Sequence, residues 1–490
     1  MEQPGEARLL IDGALTEAAS GARFDNVNPA TQEVLGGTAD AAAEDMAEAI
    51  GAARRAFDET SWSTDRALRR RCLEQLQTAL ESEREEMRAE LIAEVGCPVM
   101  ITYGAQLDAP LEDGLRWPIR AMDTFEWERE LPEGHAFGTH SKRRVVKEPA
   151  GVVGAIIPWN FPFEVTLQKV AQALATGNTL IVKPAPDTPW NATRLGRLIA
   201  EKTDIPPGVV NVVASSDHLL GEQLVTDPRV DLISFTGSTA TGRRIIEKGA
   251  STMKRLFLEL GGKSADIILD DVDFASRLPY GAAMCTHAGQ GCAIPTRMLL
   301  PRSRYEEGIE ILAGAFGAVP YGDPLDPANL MGPLISERQR SRVLGYIETG
   351  TSEGARLVVG GGRPSHLDKG WFVEPTLFAD VDNGMTIARE EIFGPVLVVI
   401  PFDDDEDAIR IANDNPYGLA ANVTSASEER ALAIASRLSA GQVGVNGGVA
   451  YGADAPFGGY KASGLGRQNG IEGFLQYTET KVVATGIVSS

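Results

Sequence analysis

The chain has 490 residues, of which 43% are hydrophobic and 23% are charged, and its formal net charge is −22. This length exceeds what one hydrophobic core ordinarily supports, so it predicts two or three domains in a globular protein. The acidity argues against binding the backbone of a nucleic acid, because phosphates attract clustered Lys and Arg.

The amino terminus and the cysteines indicate a cytoplasmic protein without a membrane partner. The first residues, MEQPGEARLLIDGA, have neither the basic region nor the long apolar run of a signal peptide. No stretch of about 18 apolar residues without charge predicts a transmembrane helix. Cys72, Cys97, Cys285 and Cys292 are too few for a disulfide scaffold. The five histidines show no metal-ligand spacing with these cysteines, so we expect no structural zinc.

Two helices are predicted before residue 100. An alanine-rich stretch predicts a helix over 41–57, and 64–94 predicts one long helix because its apolar residues recur at helical spacing. That apolar stripe consists of Leu73, Leu76, Leu80, Met87 and Leu91. Cys72 lies beside the stripe and is expected to pack in the core.

From about residue 150, short apolar runs alternate with helical stretches. The runs are VVGAII (152–157), TLIVK (179–183), VVNVV (209–213), VDLISF (230–235) and RLFLEL (255–260). The helices between them are expected near 163–175, 190–203, 218–225 and 239–248. Near-continuous apolar strands that alternate with helices predict a parallel sheet covered on both faces, which is a doubly wound α/β fold. Ligands of such a fold bind beyond the carboxyl ends of the strands.

Four of these strands lead into unusual turns, which a parallel sheet would bring to one edge. The turns are PWNFP, PAPDTP, TGSTATG and GGKS. In the third, Gly237 and Gly242 bracket a strand-to-helix turn whose glycines and free N–H groups suit a pyrophosphate. Its spacing is GxxxxG rather than GxGxxG, so the motif taken alone favours a plain tight turn, whereas the strand before it and the helix after it favour a phosphate site.

Two polar residues at this edge have a possible catalytic role. Glu259 ends an apolar strand, where burial would raise its pKa toward that of a usable base, unless it is a solvated strand-end acid. Asn160 lies between aromatic residues and prolines, where its carboxamide could donate to an oxyanion or could cap the next helix.

Cys292 lies between Gly291 and Ala293, where the small neighbours leave the sulfur accessible. It could be the nucleophile of a cysteine protease, for which His287 is the nearest histidine in the sequence. It could also be a thiolate that attacks a carbonyl group beside a redox cofactor. Cys285 would share its helix face seven residues earlier and is interpreted as a packing residue.

Together these motifs resemble those of the NAD(P)-dependent aldehyde dehydrogenase superfamily, in the family's order. The matching segments are PWNFP (158–162), IVKPA (181–185), PPGVVNVV (206–213), FTGSTATG (235–242), LELGGKS (258–264), GQGC (289–292), EEIFGPV (390–396), NPYGLAANV (415–423) and PFGGYKASGLGR (456–467). The resemblance extends from NPATQEV (28–34) to the carboxyl tail.

The resemblance implies a doubly wound cofactor domain, an α/β catalytic domain and a small β oligomerisation element. The expected boundaries are 1–125 with 150–258 for the first, 259–461 for the second, and 126–149 with 474–490 for the third. The strand-like tail is expected to join the sheet of a neighbouring subunit in a homodimer or homotetramer.

The implied reaction is oxidation of an aldehyde to a carboxylic acid with NAD(P)⁺ through a thiohemiacetal and a thioester. Cys292 matches the nucleophile, and Asn160 with the Cys292 N–H would hold the oxyanion. Glu259 matches the base that activates water, and Lys169 matches a lysine that supports proton relay.

The resemblance also implies binding residues. Those for the cofactor are Ile156, Pro158, Trp159, Lys183, Gly221, Phe235, Gly237, Ser238, Leu260, Gly261, Glu391 and Phe393. Among them, Lys183 would contact the adenosine ribose, and Glu391 and Phe393 would hold the nicotinamide ribose and ring. Those for the small aldehyde substrate are Phe161, Gln168, Gly291, Ala293 and Phe457.

Three positions depart from the family's pattern. Pro186 replaces a glutamate that binds the adenosine ribose, and the lost carboxylate removes one reason to reject a 2′-phosphate. The choice between NAD and NADP therefore stays open, with NAD slightly favoured. Gln468 replaces a glutamate and could alter the water route to the base. Gln168 replaces an aromatic residue and, beside Gly291 and Ala293, predicts a roomier and more polar pocket.

Two further functions stay open beside the leading one. A CoA-acylating aldehyde dehydrogenase would transfer the acyl group to CoA, and the presence of Glu259 argues against it. A non-catalytic structural or binding member of the family would have no need of Cys292, Asn160 and Lys169.

Overall fold

The computed structural model describes residues 5–487. The strands are β1 (Leu9–Ile11), β2 (Ala14–Thr16), β3 (Arg23–Val27), β4 (Val34–Ala39), β5 (Glu128–Ala136), β6 (Thr139–Pro149), β7 (Val152–Ile156), β8 (Thr179–Lys183), β9 (Val210–Val212), β10 (Leu232–Thr236), β11 (Arg255–Glu259), β12 (Ser264–Ile268), β13 (Pro295–Pro301), β14 (Arg356–Val359), β15 (Thr376–Ala379), β16 (Val396–Phe402), β17 (Ala420–Thr424), β18 (Gln442–Val445), β19 (Gly464–Leu465) and β20 (Thr478–Gly486).

The helices are α1 (Ala43–Glu59), α2 (Arg66–Ser82), α3 (Arg84–Val95), α4 (Val99–Thr102), α5 (Asp108–Asp113), α6 (Arg116–Thr124), α7 (Pro162–Ala175), α8 (Trp190–Lys202), α9 (Leu220–Thr226), α10 (Thr239–Gly249), α11 (Phe274–Arg277), α12 (Tyr305–Gly317), α13 (Glu337–Ser352), α14 (Thr386–Arg389), α15 (Asp405–Asn413), α16 (Glu428–Ala435) and α17 (Gly470–Gln476). Among residues 5–487, no helix is both long and apolar enough to cross a membrane.

The first large sheet confirms the doubly wound α/β prediction. Its order is β19-β11-β10-β7-β8-β9-β1-β2, and β7 to β11 are parallel to one another. The chain runs from β7 outward through β8 and β9, then returns to the other side of β7 for β10 and β11. The carboxyl ends of β7 and β10 therefore flank a topological switch point, where ligands bind in such folds.

The second large sheet is mostly parallel and has the order β14-β15-β16-β13-β12-β17-β18. The first of its strands along the chain, β12, starts at Ser264, five residues after Glu259. Cys292 lies just before β13, which pairs with β12 in parallel. The short segment between β11 and β12 therefore joins the two sheets close to Cys292 and Glu259.

The prediction of one helix over 64–94 is wrong. Two helices, α2 and α3, meet at Glu83, whose backbone (φ −114°, ψ 23°) leaves the helical region. The Glu83 carboxylate accepts hydrogen bonds from Arg194 (2.6 Å) and Arg197 (2.5 Å) of α8. The apolar stripe is buried on both sides of the break, so its spacing gave no sign of the turn. Cys72 is fully buried, which confirms its place in the core.

The tail packs on the hairpin with which it was expected to form one element. β20 forms an antiparallel sheet with the β5–β6 hairpin of the same chain, from Thr478 opposite Pro149 to Gly486 opposite Ser141. Residues 1–4 of the predicted cofactor domain and residues 488–490 of the predicted oligomerisation element lie outside the described residues. In the hairpin, the ligand atoms of Glu133, His135 and His140 lie within 4.8 Å of one another. The spacing of histidines and cysteines had not indicated this exposed cluster.

Candidate active site

A cleft of about 510 Å³ lies at the carboxyl ends of β7, β8 and β10. Eight of the residues expected to bind the cofactor line it: Ile156, Pro158, Trp159, Lys183, Gly221, Phe235, Gly237 and Ser238. Ser238 caps α10 by accepting a hydrogen bond from the N–H of Thr241 (3.2 Å). A Cβ atom at Gly237 would lie 2.5 Å from the Phe235 ring, so this turn requires glycine. The free N–H groups of α10 thus face a cleft with room for a dinucleotide.

Ionisable side chains in this cleft were not foreseen from the sequence. Besides Pro186, the cleft is lined by Asp187, His218, Glu222, Arg244, Lys248 and Arg338. Glu222 pairs with Arg244 and with Lys248 (3.9 Å). The Lys183 ammonium is buried, and burial lowers its pKa to about 8, an effect that Asp217 and Asp40 partly offset. The cleft therefore carries both cationic and anionic side chains, and Pro186 supplies no carboxylate.

The other four expected cofactor residues lie between this cleft and Cys292. The N–H of Gly262 donates to Glu391 (2.9 Å), and a Cβ atom at Gly261 would lie 2.4 Å from the same carboxylate. Burial raises the pKa of Glu391 to about 7. Phe393 packs edge-to-face against Trp159 with ring centroids 5.4 Å apart. The fourth, Leu260, packs against the backbone of α10, 2.6 Å from where a Cβ of Gly242 would lie.

Cys292 is half-buried and lies on a loop rather than on a helix. Thr286 leaves the helical region, and His287 and Ala288 adopt positive φ angles of 56° and 53°. The expected shared helix face of Cys285 and Cys292 is therefore wrong, although Cys285 is buried in the core as expected. Burial, followed by the carboxylates of Glu259, Glu391 and Glu164, raises the pKa of the Cys292 thiol well above its usual value.

Asn160 is fixed by three hydrogen bonds. Its backbone carbonyl accepts from Gln106 (2.7 Å) and from the His287 imidazole (2.9 Å), and its side-chain amide donates to the Gln290 carbonyl (3.0 Å). The residue that caps α7 is Phe161, so the helix-capping interpretation of Asn160 is wrong.

The His287 imidazole hydrogen-bonds the backbone carbonyl of Asn160. Burial lowers the pKa of His287 to about 4, which keeps the ring neutral at physiological pH. The ring lies edge-to-face against Phe161, with centroids 5.3 Å apart. The cysteine protease interpretation therefore loses its histidine partner.

Glu259 is a buried carboxylate without a paired cation. It is 3% exposed, and neither of its oxygens has a hydrogen-bond partner among the described residues. Burial raises its pKa to about 8, and the charges of Lys169 and Arg467 partly offset this effect. The solvated strand-end interpretation is therefore wrong, and a raised pKa suits a general base near neutral pH.

Lys169 and two of the departures from the family's pattern form one network. The buried Lys169 ammonium donates to Ser234 (3.1 Å) and to the side-chain oxygen of Gln468 (3.2 Å). The side-chain nitrogen of Gln468 donates in turn to the side-chain oxygen of Gln168. Burial lowers the pKa of Lys169 to about 7, and Glu259 partly offsets this effect.

Gly291 packs closely against Ile294, because a Cβ atom added at Gly291 would lie 2.7 Å from the Ile294 side chain. Gln168 lies among polar groups: it donates to the Tyr451 hydroxyl (2.7 Å), which in turn donates to Glu164. Glu164 precedes Gln168 by one helical turn of α7, a signal that the sequence offered. Nothing in the sequence predicted that Tyr451, which follows Glu164 by 287 residues, would contact Glu164.

These features suit a nucleotide-dependent oxidoreductase that works through a thiol nucleophile. The cleft fits a dinucleotide, and the segment between β11 and β12 brings a buried carboxylate close to a half-buried cysteine. An amide donor is held rigidly in the same region.

Comparison with known proteins identifies the family. The model of the aldehyde dehydrogenase family matches residues 15–483. A 3-succinoylsemialdehyde-pyridine dehydrogenase from a Pseudomonas species is 42% identical over 97% of this chain and 98% of its own. Geranial dehydrogenase from Castellaniella defragrans is 40% identical, over 97% and 98%. The crystal structure of Mycobacterium tuberculosis aldehyde dehydrogenase complexed with NAD⁺ matches with a TM-score of 0.93 and 42% identity, covering 97% of each chain.

The chain belongs to the aldehyde dehydrogenase family, whose reaction is the oxidation of aldehydes with NAD⁺. The predictions of family, fold class and enzyme class are therefore confirmed.

Proposed function

We propose that this chain oxidises an aldehyde to a carboxylic acid with NAD⁺, using Cys292 as its nucleophile. The observation that carries this proposal is the buried, unpaired carboxylate of Glu259 close to the Cys292 thiol. Relatives named for geranial and for a pyridine-bearing semialdehyde support a substrate larger than acetaldehyde.

The cleft supplies the cofactor site. When bound there, NAD⁺ accepts the hydride, so that aldehyde, NAD⁺ and water become carboxylic acid, NADH and a proton. Gly237 and Ser238 would hold the pyrophosphate at the start of α10, and Lys183 would contact the adenosine ribose. Glu391 and Phe393 would hold the nicotinamide end. The absence of a carboxylate at Pro186 makes NADP an acceptable second cofactor.

The sulfur of Cys292 adds to the aldehyde carbon, and its proton passes to Glu259. A carbon–sulfur bond forms, and the carbonyl oxygen becomes an oxyanion that accepts hydrogen bonds from Asn160 and the Cys292 N–H. Loss of hydride from the carbon restores the carbonyl and leaves a thioester. Glu259 releases the thiol proton to solvent and, ionised again, takes a proton from the attacking water. The resulting hydroxide adds to the thioester carbon, the carbon–sulfur bond breaks, and the leaving sulfur takes the proton back from Glu259. The products are the acid and a free thiol.

Lys169 acts through its neighbours. Its charge favours the ionised form of Glu259, and its bonds to Ser234 and Gln468 hold it in place. Gln468 has no proton to give up, so we propose that protons leave Glu259 through water rather than through this side chain.

The two large sheets and the three-stranded sheet are the basis for dividing the chain into the cofactor, catalytic and oligomerisation units expected above. We propose a cytoplasmic homodimer or homotetramer, with β20 as the exposed edge through which subunits associate.

The direct test follows reduced-nicotinamide absorbance with NAD⁺ or NADP⁺ and a panel of aliphatic, aromatic and polar aldehydes. We expect a signal from the wild type and none from Cys292→Ala. Thr166→Val is the matched control, because Thr166 has a buried hydroxyl without a partner among the described residues and lies on the same helix as Lys169. Added CoA should yield no acyl-CoA; its appearance would favour the CoA-acylating alternative. A silent wild type would favour the non-catalytic one.

A further inference from the structure

Three side chains form a polar cluster that the catalytic steps do not use. We call Glu164, Gln168 and Tyr451 the distal cluster. The Tyr451 hydroxyl donates to the Glu164 carboxylate (2.5 Å), and the Gln168 amide nitrogen donates to the Tyr451 oxygen (2.7 Å) and more weakly to Glu164 (3.4 Å). Glu164 is 8% exposed, whereas Tyr451 is 43% exposed and gives the cluster its accessible surface.

The direction of these bonds is set by Lys169. The Lys169 nitrogen donates to the Gln468 oxygen, and this orientation of the amide turns the Gln468 nitrogen toward Gln168. The oxygen of Gln168 accepts that bond, which turns its nitrogen toward Tyr451 and Glu164. The hydroxyl proton of Tyr451 goes to Glu164. The donors of Gln168 and Tyr451 are therefore used within the distal cluster, and its remaining hydrogen-bonding positions are acceptor positions on Tyr451 and Glu164.

The distal cluster lies on the substrate side of Cys292. The Glu164 carboxylate is close enough to raise the pKa of the Cys292 thiol. Tyr451 packs edge-to-face against Phe457, with centroids 5.2 Å apart, and Phe457 was expected in the substrate pocket. Burial raises the pKa of Glu164 to about 7, and the only group that lowers it is the Tyr451 hydroxyl. Among the described residues, no basic side chain hydrogen-bonds or forms an ion pair with a member of the distal cluster.

We propose that the distal cluster recognises the far end of the aldehyde, and that it selects a hydroxyl, N–H or ammonium group there over a carboxylate. This inference rests on the proposed dehydrogenase function and specifies its substrate class. An acceptor-only site gains a hydrogen bond from a donor on the substrate. A carboxylate would meet the negative charges of Glu164, Glu259 and Glu391, and a site without free donors would leave its oxygens unpaired.

The test compares three aldehydes of equal chain length: an alkyl aldehyde, its ω-hydroxy analogue and its ω-carboxylate analogue. Measurements well above pH 7 keep Glu164 ionised. We expect kcat/KM to be about tenfold higher for the hydroxy than for the alkyl aldehyde, chiefly through KM, and at least about tenfold lower for the carboxylate. In Glu164→Leu the ratio of kcat/KM for the hydroxy aldehyde to that for the alkyl aldehyde should fall to about one. In Glu164→Gln, whose amide adds donors, the carboxylate analogue should improve. Thr166→Val should keep the wild-type ratios.

Equal kcat/KM values for the three aldehydes in the wild type would overturn the inference and leave the dehydrogenase proposal intact. So would a hydroxy preference that survives in Glu164→Leu. Should no aldehyde be oxidised, calorimetry on Cys292→Ala provides an independent readout with an unreactive alkane diol and the matching simple alcohol. Tighter binding of the diol that disappears in Cys292→Ala/Glu164→Leu supports the distal cluster, and equal binding contradicts it.

Discussion

The raised pKa of Glu259 predicts the pH profile of thioester hydrolysis. A base works only when ionised, and with a pKa of about 8 only about 9% of Glu259 is ionised at pH 7, against about half at pH 8. Hydrolysis should therefore speed up about fivefold between pH 7 and pH 8 and level off above pH 9. A carboxylate at its ordinary pKa would give no change over this range.

The hydrolysis step can be isolated because the sulfur in the thioester carries no proton. Rapid mixing with NAD⁺ and one equivalent of aldehyde, followed by quenching and mass spectrometry, gives the decay of the acyl-enzyme at each pH. Glu259→Gln should slow this decay and abolish its pH dependence.

Glu94→Gln is the matched control for this experiment. Burial raises the pKa of Glu94 also to about 8, but Glu94 lies in α3, where it accepts hydrogen bonds from Asn26 and Asn191. The pH dependence of thioester hydrolysis should persist in Glu94→Gln. A flat wild-type profile between pH 6 and pH 9, or a pH dependence that survives in Glu259→Gln, would refute the argument from burial.

Two further substitutions test the geometry. In Gly262→Ala, the added Cβ would lie 2.3 Å from the Cys292 carbonyl; we expect about 1–3 kcal/mol of destabilisation and at least a tenfold loss of kcat/KM. Gly314→Ala in α12 meets no described atom within 4 Å and should keep both the Tm and the activity; an unaffected Gly262→Ala would contradict the close approach. Pro186→Glu should raise the KM for NADP about tenfold relative to that for NAD, and an unchanged ratio would mean that the ribose lies elsewhere.

The parallel strands and the turns that end them were predictable from the amino-acid sequence alone. Each strand from 152 to 259 is an apolar run whose burial depends on its own composition, and the structure places each close to its expected position. Parallel pairing then brings the turns to one edge, so Asn160, Gly237 and Glu259 could be singled out before any coordinate was known.

Tertiary structure decided which distant residues meet and what each one does there. His287 contacts Asn160 rather than Cys292, and Gln168 contacts Gln468, 300 residues away along the chain. Ile294 fills the space beside Gly291, and Glu83 interrupts an unbroken apolar stripe. Local spacing reflects only neighbours within a turn or a strand, whereas these contacts depend on the order of strands and the paths of loops. The hydrogen-bond polarity of the distal cluster is therefore a property of the folded chain alone.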